Sequence, residues 1–220
     1  MDKKINIAVD GTASSGKSSV MSAVAKQLGF DFIDTGLMYR AYTKLCLMNN
    51  IDFSKEEQIV SLLDQFDCQY KENDRIFVGQ EELTSFLSDY EVAENIKYVA
   101  ATVKVREKMV ELQKKLAEPK NKILVGRDIT TVVLPDAELK IYFDSSAEAR
   151  AQRRFLQNQR NNVEPNVYED ILRQIQQRDE WDKNRAVGAL TIAPDAWLFD
   201  TSNINIDQAI EIVIEKIKNL

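Results

Sequence analysis

The chain has 220 residues, roughly one and a half times a typical domain of about 150, which indicates one domain with an embedded insertion or a domain and a half. Hydrophobic residues make up 44% and charged residues 29%, so the composition excludes a disordered or fibrous chain. The net charge of −6 disfavours nucleic acid or an anionic membrane as a partner held by bulk charge. The absence of histidine excludes His-based zinc sites, triads and acid–base catalysis.

The remaining composition points to an intracellular setting. The two cysteines, Cys46 and Cys68, lie far apart and form no CxxC motif. No run approaches the roughly 18 apolar residues of a membrane span, and the first apolar stretch is too short for a secretory signal. We therefore expect a cytoplasmic protein that binds neither nucleic acid nor membranes.

Apolar runs alternate with helical patterns along the chain. The apolar runs predict strands at 5–9, 30–34, 123–126, 139–144 and 197–201. The helical patterns predict helices at 17–28, 37–48, 93–117, 147–159, 168–183 and 206–218. This alternation predicts an α/β, three-layer fold with a central parallel sheet of about five strands. In such folds ligands bind at the carboxyl ends of the strands.

Two segments interrupt the alternation. Residues from about 61 to 90 have a short, mixed pattern, and KENDRIFVGQ at 71–80 predicts an antiparallel hairpin. Residues 157–165 are polar and have the composition of a mobile loop. We expect a single domain over 1–220, with an inserted subdomain at about 61–90 and a lid at about 153–167.

A phosphate-binding loop follows the first predicted strand. Residues 11–18 match GxxxxGK[ST], with an apolar strand before them and a helical pattern after them. Backbone N–H groups of such a loop converge on phosphate oxygens, Lys17 reaches the β- and γ-phosphates, and the Ser18 hydroxyl coordinates Mg²⁺. The residues predicted to bind ATP are Gly11, Thr12, Ala13, Ser14, Ser15, Gly16, Lys17, Ser18, Ser19 and, from the lid, Arg154.

A P-loop predicts nucleotide binding but no particular reaction. Three classes of protein compete: a motor or switch NTPase, a small-molecule kinase, and a binding module without turnover. The chain lacks an Asn-Lys-x-Asp guanine motif, a DxxG switch and a Walker-B strand ending in Asp-Glu. The kinase class is therefore favoured.

Several arginines lie where an anionic substrate would bind. Arg40 follows the second strand, and Arg127 and Asp128 directly follow the third, so all three lie near strand carboxyl ends. Fixed cations of this kind stabilise the charge of a migrating phosphoryl group. An Arg–Asp pair at a strand end is also compatible with a purely structural ion pair.

Two further charged groups lie on predicted helices. Arg178, Asp182 and Arg185 are spaced i, i+4 and i+7 and share one helix face, which also fits a solvated ladder of ion pairs. The second group precedes the polar loop and consists of Arg150, Arg153 and Arg154. That arrangement fits a lid that carries cations to the γ-phosphate and, equally, an ordinary charged helix surface.

Four longer segments resemble the bacterial cytidylate kinase family. They are DTGLMYR at 34–40, the stretches at 91–117 and 125–154, and RDEWDKNRAV at 178–187. The resemblance runs nearly end to end, and GRD-xx-TVVLPDA is its most diagnostic part. It implies a fold similar to adenylate kinase, an inserted monophosphate-binding region, a monomer, and transfer of phosphate from ATP to CMP or dCMP.

The resemblance also implies roles for individual residues. Thr35, Arg40 and Arg127 are expected near the acceptor monophosphate and ribose. Arg106 and Asp128 are expected to contact the cytosine, where a carboxylate can accept from the 4-amino group and an arginine can donate to the carbonyl. Asp182 is expected to bind a sugar hydroxyl, and Arg178 and Arg185 to bridge the phosphates. The catalytic set is then Lys17, Arg127, Arg178 and Arg185.

The chain departs from the family pattern at several positions. Thr12 and Ser18 replace a proline and a glycine of the P-loop, and Thr130 replaces the glycine that follows GRD-x. Lys97 stands where a serine is common, and Ser88 where an arginine is expected. Two alternatives stay open: a P-loop kinase for UMP or a non-nucleotide acceptor, and a nucleotide sensor without catalysis.

Overall fold

A computed structural model describes residues 4–71, 75–184 and 188–220. The main elements are, in chain order, β1 (Asn6–Gly11), α1 (Lys17–Leu28), β2 (Asp31–Asp34), α2 (Thr35–Met48), α3 (Glu56–Val60), β3 (Cys68–Lys71), β4 (Arg75–Val78), β5 (Glu81–Glu82), α4 (Tyr90–Ala101), α5 (Val103–Ala117), β6 (Lys122–Val125), β7 (Leu139–Asp144), α6 (Ala147–Arg160), α7 (Tyr168–Asn184), β8 (Trp197–Asp200) and α8 (Ile206–Lys218). Across these described ranges, no helix is both long and apolar enough to cross a membrane.

The principal sheet has five strands in the order β2-β6-β1-β7-β8. The pairs β1–β6, β1–β7 and β7–β8 are parallel, and Val9 lies opposite both Val125 and Ile141. Every residue of β1 is buried, as expected for an inner parallel strand that is covered on both faces. The predicted α/β fold with a central parallel sheet is confirmed.

The chain divides into two compact units, Met1–Phe32 with Lys120–Leu220, and Ile33–Pro119. We refer to them as the first and the second unit. In the first unit, α1 and α8 contribute apolar residues to the core of the sheet. Ala209, Val213 and Ile217 follow one another at four-residue intervals and are buried, because this spacing places them on one face of α8.

The second unit combines helices with a small antiparallel sheet of order β3-β4-β5. Cys68 pairs with Val78, and Lys71 with Arg75. The antiparallel pairing predicted around 71–80 is therefore present, but β3 lies mainly before that range, and residues 72–74 lie outside the described residues. Tyr42 is fully buried in the core of this unit, and its hydroxyl donates to the carbonyl of Ile59 at 2.5 Å.

The single helix predicted over 93–117 is wrong. The structure contains two helices, α4 and α5, separated by Thr102, whose backbone is extended at φ −74° and ψ 118°. The Thr102 hydroxyl donates to the carbonyl of Tyr98 at 3.0 Å. This local side-chain bond competes with helix continuation.

The loop predicted at 157–165 begins later than expected, because α6 continues to Arg160. The polar composition of 157–160 indicated a loop, yet glutamine and arginine are good helix formers. The helix ends where two asparagines occur, and Asn162 adopts the left-handed φ of 52°, which asparagine tolerates better than most residues.

Candidate active site

The phosphate loop connects β1 to α1. Gly11 ends β1 where a Cβ atom would collide with the carbonyl oxygen of Phe143 on the neighbouring β7, so no larger residue fits. Gly16 has a φ of 88°, a left-handed conformation that glycine adopts without strain. Lys17 follows directly as the first residue of α1. The two glycines of the motif are thus required by the path of the backbone.

Buried polar groups in this loop are suited to an anion. Thr12 Oγ1 and Ser15 Oγ are buried and have no hydrogen-bond partner within the part of the chain that the structure describes. Lys17 is 7% exposed, and its Nζ donates to the carbonyl of Thr12 at 3.1 Å. The first turn of α1 carries no acidic residue, so the positive end of the helix favours a bound anion. Phosphate oxygens would satisfy both hydroxyls.

The donor set of the loop fits Mg²⁺ bound together with a nucleotide. Ser18 lies in the first turn of α1 and is partly buried. Among the residues covered by the structure, no group of three or more Asp, Glu, Cys or His side chains could hold a metal ion by itself. Mg²⁺ takes most of its ligands from substrate phosphates and water and needs only one or two protein oxygens, so a single hydroxyl at Ser18 is compatible with it.

Arg150 of α6 is bound to the phosphate loop. The residue is 3% exposed, and its Nη1 donates to the carbonyl of Ala13 at 3.1 Å. Its Nε donates to the carbonyl of Ser145 at 2.9 Å. The guanidinium also forms a two-bond ion pair with Asp179 of α7, at 2.9 and 2.5 Å. One side chain therefore links the loop, α6 and α7.

A second ion pair joins the end of β6 to α7. Arg127 Nε donates to Asp182 Oδ2 at 2.8 Å, and Arg178 Nε lies 3.5 Å from the same oxygen. Asp182 is 1% exposed, so this contact is not part of a solvated ladder. The Arg178 guanidinium also lies 5.1 Å from the ring centre of Trp181. Arg185, the third member of the predicted set, lies outside the described residues.

Asp10, the residue before the first loop glycine, is fully buried. Its carboxylate accepts from the N–H groups of Ile129 and Thr130, each at 2.8 Å, and from the Thr130 hydroxyl at 2.6 Å. Burial raises the pKa of Asp10 above its ordinary value, and the hydrogen bonds from Thr130 and Ile129 oppose that shift. Asp128, predicted at the cytosine, is buried beside this turn.

The other two arginines of α6 differ in their surroundings. Arg153 contacts the hydroxyls of Ser145 and Thr201 at 3.3 and 3.4 Å and also donates to the carbonyl of Thr201. Arg154 is exposed, and its side chain forms neither a hydrogen bond nor an ion pair with any other residue described. Of this cluster, Arg154 is the one whose guanidinium is open to a nucleotide. Ser14 and Ser19 of the loop are also exposed.

The second unit carries three of the predicted acceptor residues. Thr35 is the buried first residue of α2, and Asp34 caps this helix by accepting from the Gly36 N–H at 2.9 Å. Arg40, one turn further along α2, donates from Nη1 to the carbonyl of Leu87 at 2.9 Å. This bond orients the guanidinium at a fixed place in the unit.

The third predicted acceptor residue is Arg106 of α5, which is 5% exposed. Its Nη1 lies 3.4 Å from the hydroxyl of Tyr39. Two positions where the chain departs from the family, Ser88 and Lys97, are both exposed. The Lys97 amino group lies 5.0 Å from the ring centre of Tyr98.

Sequence reasoning missed the parts played by Asp10 and Asp179. Asp10 could have been identified by its place directly before the first loop glycine, because a carboxylate buried there needs donors. Asp179 lies next to Arg178 in RDEWDKNR, but its partner Arg150 is 29 positions away. No local pattern links the two.

Known proteins resemble the chain over its whole length. The cytidylate kinase family model matches residues 7–219. A cytidylate kinase of Mesoplasma florum is 47% identical, with 100% of this chain and 99% of that protein covered. One of Mycoplasma capricolum subsp. capricolum is 45% identical, with 99% and 98% covered. A solved structure of an uncharacterized protein from Eubacterium ventriosum shares the fold at a TM-score of 0.57 and 12% identity, covering 99% of this chain and 100% of that one.

A parallel sheet with a phosphate loop after its central strand defines the class of P-loop nucleotide-binding proteins. Within that class, the chain belongs to the cytidylate kinase family. The predicted resemblance is confirmed, and the protein is an enzyme, a kinase.

Proposed function

We propose that this enzyme transfers the γ-phosphoryl group of ATP to CMP or dCMP, giving ADP and CDP or dCDP. The chain belongs to the cytidylate kinase family. Within its phosphate loop, the observation that carries the proposal is that Thr12 Oγ1 and Ser15 Oγ are buried without a hydrogen-bond partner in the described chain. Such groups are stabilised by an anion that accepts from them. The triphosphate of ATP is that anion.

The loop residues 11–19 bind the donor. Their backbone N–H groups and the N-terminal end of α1 hold the phosphates, and Lys17 neutralises charge on the β- and γ-oxygens. Ser18 would hold Mg²⁺ through its hydroxyl, and the ion would supply positive charge that offsets the charge of the triphosphate. Arg154, which is exposed on α6, contacts the donor from the lid at about 153–167.

The transfer step depends on fixed positive charge. The reaction moves a phosphoryl group between two oxygens, so positioning and charge stabilisation supply most of the rate. Arg127, Arg178 and Arg185 carry out this role. Asp182, which accepts from Arg127 at 2.8 Å, orients that guanidinium and also binds a hydroxyl of the acceptor sugar. No general base is needed, because the acceptor phosphate is already ionised at neutral pH.

Acceptor recognition uses a different set of side chains. Thr35 and Arg40 hold the monophosphate, and Arg106 and Asp128 hold the cytosine. A carboxylate accepts from the 4-amino group of cytosine, which uracil lacks, so Asp128 favours CMP over UMP. These substrates are cytoplasmic metabolites, and the family resemblance favours a monomer. We therefore place the enzyme in the cytoplasm as a monomer.

A panel of acceptors tests this function. ADP formation from ATP and Mg²⁺ is measured with CMP, dCMP, UMP, AMP and GMP at equal concentration. The expected result is turnover with CMP and dCMP at least about a hundredfold above the other three, as hydrogen-bonded base recognition allows. Turnover led by UMP or by none of the five would contradict the proposal. Calorimetric binding of CMP without turnover would instead identify a sensor.

A further inference from the structure

The Arg150 guanidinium is a junction of four chain segments. It donates to Ala13 in the phosphate loop, to Ser145 at the end of β7, and twice to Asp179 of α7, while its own backbone belongs to α6. Arg150 is 3% exposed, and the Asp179 side chain 13%. A planar guanidinium with several donors in fixed directions suits such a junction, and a lysine ammonium does not reproduce it.

These contacts assign Arg150 to the protein framework and not to the substrate. The sequence left open whether the arginines of α6 deliver charge to the γ-phosphate. In the structure the Arg150 donors are directed at a carboxylate and at two main-chain carbonyls. Its neighbour Arg154 is exposed and remains the cation that can meet a nucleotide.

Helix α7 is held at two points that lie three residues apart. Asp179 binds Arg150, and through it the Ala13 carbonyl, whereas Asp182 binds Arg127 at the end of β6. The phosphate loop and the Arg127–Asp182 pair are therefore connected through less than one turn of a single helix. A displacement of α7 would move Arg178 and Asp182 relative to the loop.

We propose that Arg150 and Asp179 form a positioning pair that couples the phosphate loop to α7 and so keeps the loop and the Arg127–Asp182 contact in register. The part concerning catalysis rests on the proposed function. The pair touches neither substrate. It acts through the Ala13 carbonyl on one side and through Arg178 and Asp182 on the other.

Two single variants distinguish the contact of the pair with the phosphate loop from its contact with α7. In Asp179→Asn, Arg150 keeps its donors to Ala13 and Ser145, so kcat falls about tenfold while KM for ATP changes less than about twofold. In Arg150→Lys the bond to Ala13 is lost as well, so kcat falls and KM for ATP also rises about tenfold. A purely structural role would lower the melting temperature of both variants without this division between kcat and KM.

The same helix offers a matched control. Arg173 and Asp170 form an exposed ion pair at 3.2 Å, with side chains 66% and 53% exposed. Arg173→Lys and Asp170→Asn should leave kcat and both KM values unchanged, because exposed pairs contribute little. If these variants reproduced the effects of Arg150→Lys and Asp179→Asn, the proposal would be overturned.

A double variant keeps the test valid if a single variant folds poorly. Arg150→Met with Asp179→Leu removes both partners of the pair together, and such a replacement of a largely buried ion pair is often neutral for stability. We expect the double variant to have a melting temperature close to that of the wild type. Its kcat/KM should be no higher than that of the less active of the two single variants. A double variant with wild-type kcat and KM for ATP would refute the coupling.

Calorimetry distinguishes this inference from the proposed function. If the wild-type enzyme fails to phosphorylate CMP, the proposed function fails, and ATP–Mg²⁺ binding still tests the pair. Arg150→Lys should weaken binding about tenfold, and Arg173→Lys should not. Equal ATP affinity in wild type, Arg150→Lys and Arg173→Lys would overturn the proposal whatever the acceptor.

Discussion

The two units of the molecule place their charges differently. In the first unit Asp10, Arg150 and Asp182 are buried, at 0%, 3% and 1% exposure, and each is hydrogen-bonded. The second unit also buries an arginine, Arg106 at 5%, but ion pairs of this unit such as Arg75–Glu82 are largely exposed, with side chains 47% and 41% accessible. Buried carboxylates such as Asp182 do not contact a phosphoryl group favourably themselves, but they hold arginines in fixed orientations. We therefore expect the oriented cations of the proposed transfer step to belong to the first unit.

The largest expected effect in the first unit is that of Lys17→Ala. The variant loses the cation that neutralises the β- and γ-phosphates, so kcat/KM should fall by about a thousandfold or more with the fold retained. Lys26→Ala, in the exposed last turn of the same helix, is the matched control and should have wild-type activity. A folded Lys17→Ala enzyme with more than a tenth of wild-type activity would contradict the role of the phosphate loop in the reaction.

Asp182→Asn should have the next largest effect. The substitution keeps the shape but replaces the carboxylate that accepts from Arg127 at 2.8 Å. We expect kcat to fall about a hundredfold, because the Arg127 guanidinium loses the carboxylate that orients it. Glu180→Gln, on the exposed side of α7, should have no effect. Steady-state rates with CMP and ATP measure both variants, and equal losses would contradict the assignment.

Arg106→Lys tests the second unit. Arg106 is 5% exposed, and a lysine ammonium does not reproduce the planar, rigidly paired donors of a guanidinium. We expect KM for CMP to rise about tenfold with kcat within about twofold of wild type, since binding and not transfer is affected. Lys108→Arg, at an exposed ion pair of the same helix, is the control. A large loss of kcat in Arg106→Lys would weaken the division between the units.

Thr130→Val should have the smallest effect. Thr130 is 1% exposed, so valine fits its space while the hydroxyl bond to Asp10 at 2.6 Å is lost. The two N–H bonds to Asp10 remain and keep its carboxylate in place, so we expect kcat/KM to fall only about threefold to tenfold, the size of an ordinary net hydrogen bond. Thr130→Ser keeps the hydroxyl and should restore activity. If Thr130→Ser and Thr130→Val lowered kcat/KM equally, the Thr130 hydroxyl would not contribute to activity.

Local pattern was enough to predict the sheet and the phosphate loop. Strands buried on both faces appear as continuous apolar runs, and the loop requires glycine where a side chain would meet Phe143. The bounds predicted for α1 and α8 agree with the structure, because apolar spacing and a glycine or asparagine mark their ends.

Two kinds of feature were not predictable. The sequence AATV around Thr102 contains neither glycine nor proline, so the composition did not indicate the break between α4 and α5. Contacts between distant residues were not predictable either. The partners of Asp10 and Arg150 are 119 and 29 positions away. Arginines at strand ends indicated a charged site, but only the structure distinguishes Arg150, which binds the framework, from Arg154, which is exposed.

The most direct measurement follows the phosphoryl group itself. The purified enzyme is incubated with ATP labelled at the γ-phosphate, Mg²⁺ and an equimolar mixture of CMP and UMP, and the labelled products are separated. We predict that the label appears in CDP in wild type and stays in ATP with Lys17→Ala. Label found mainly in UDP or in inorganic phosphate would contradict cytidylate phosphorylation as the activity of this chain.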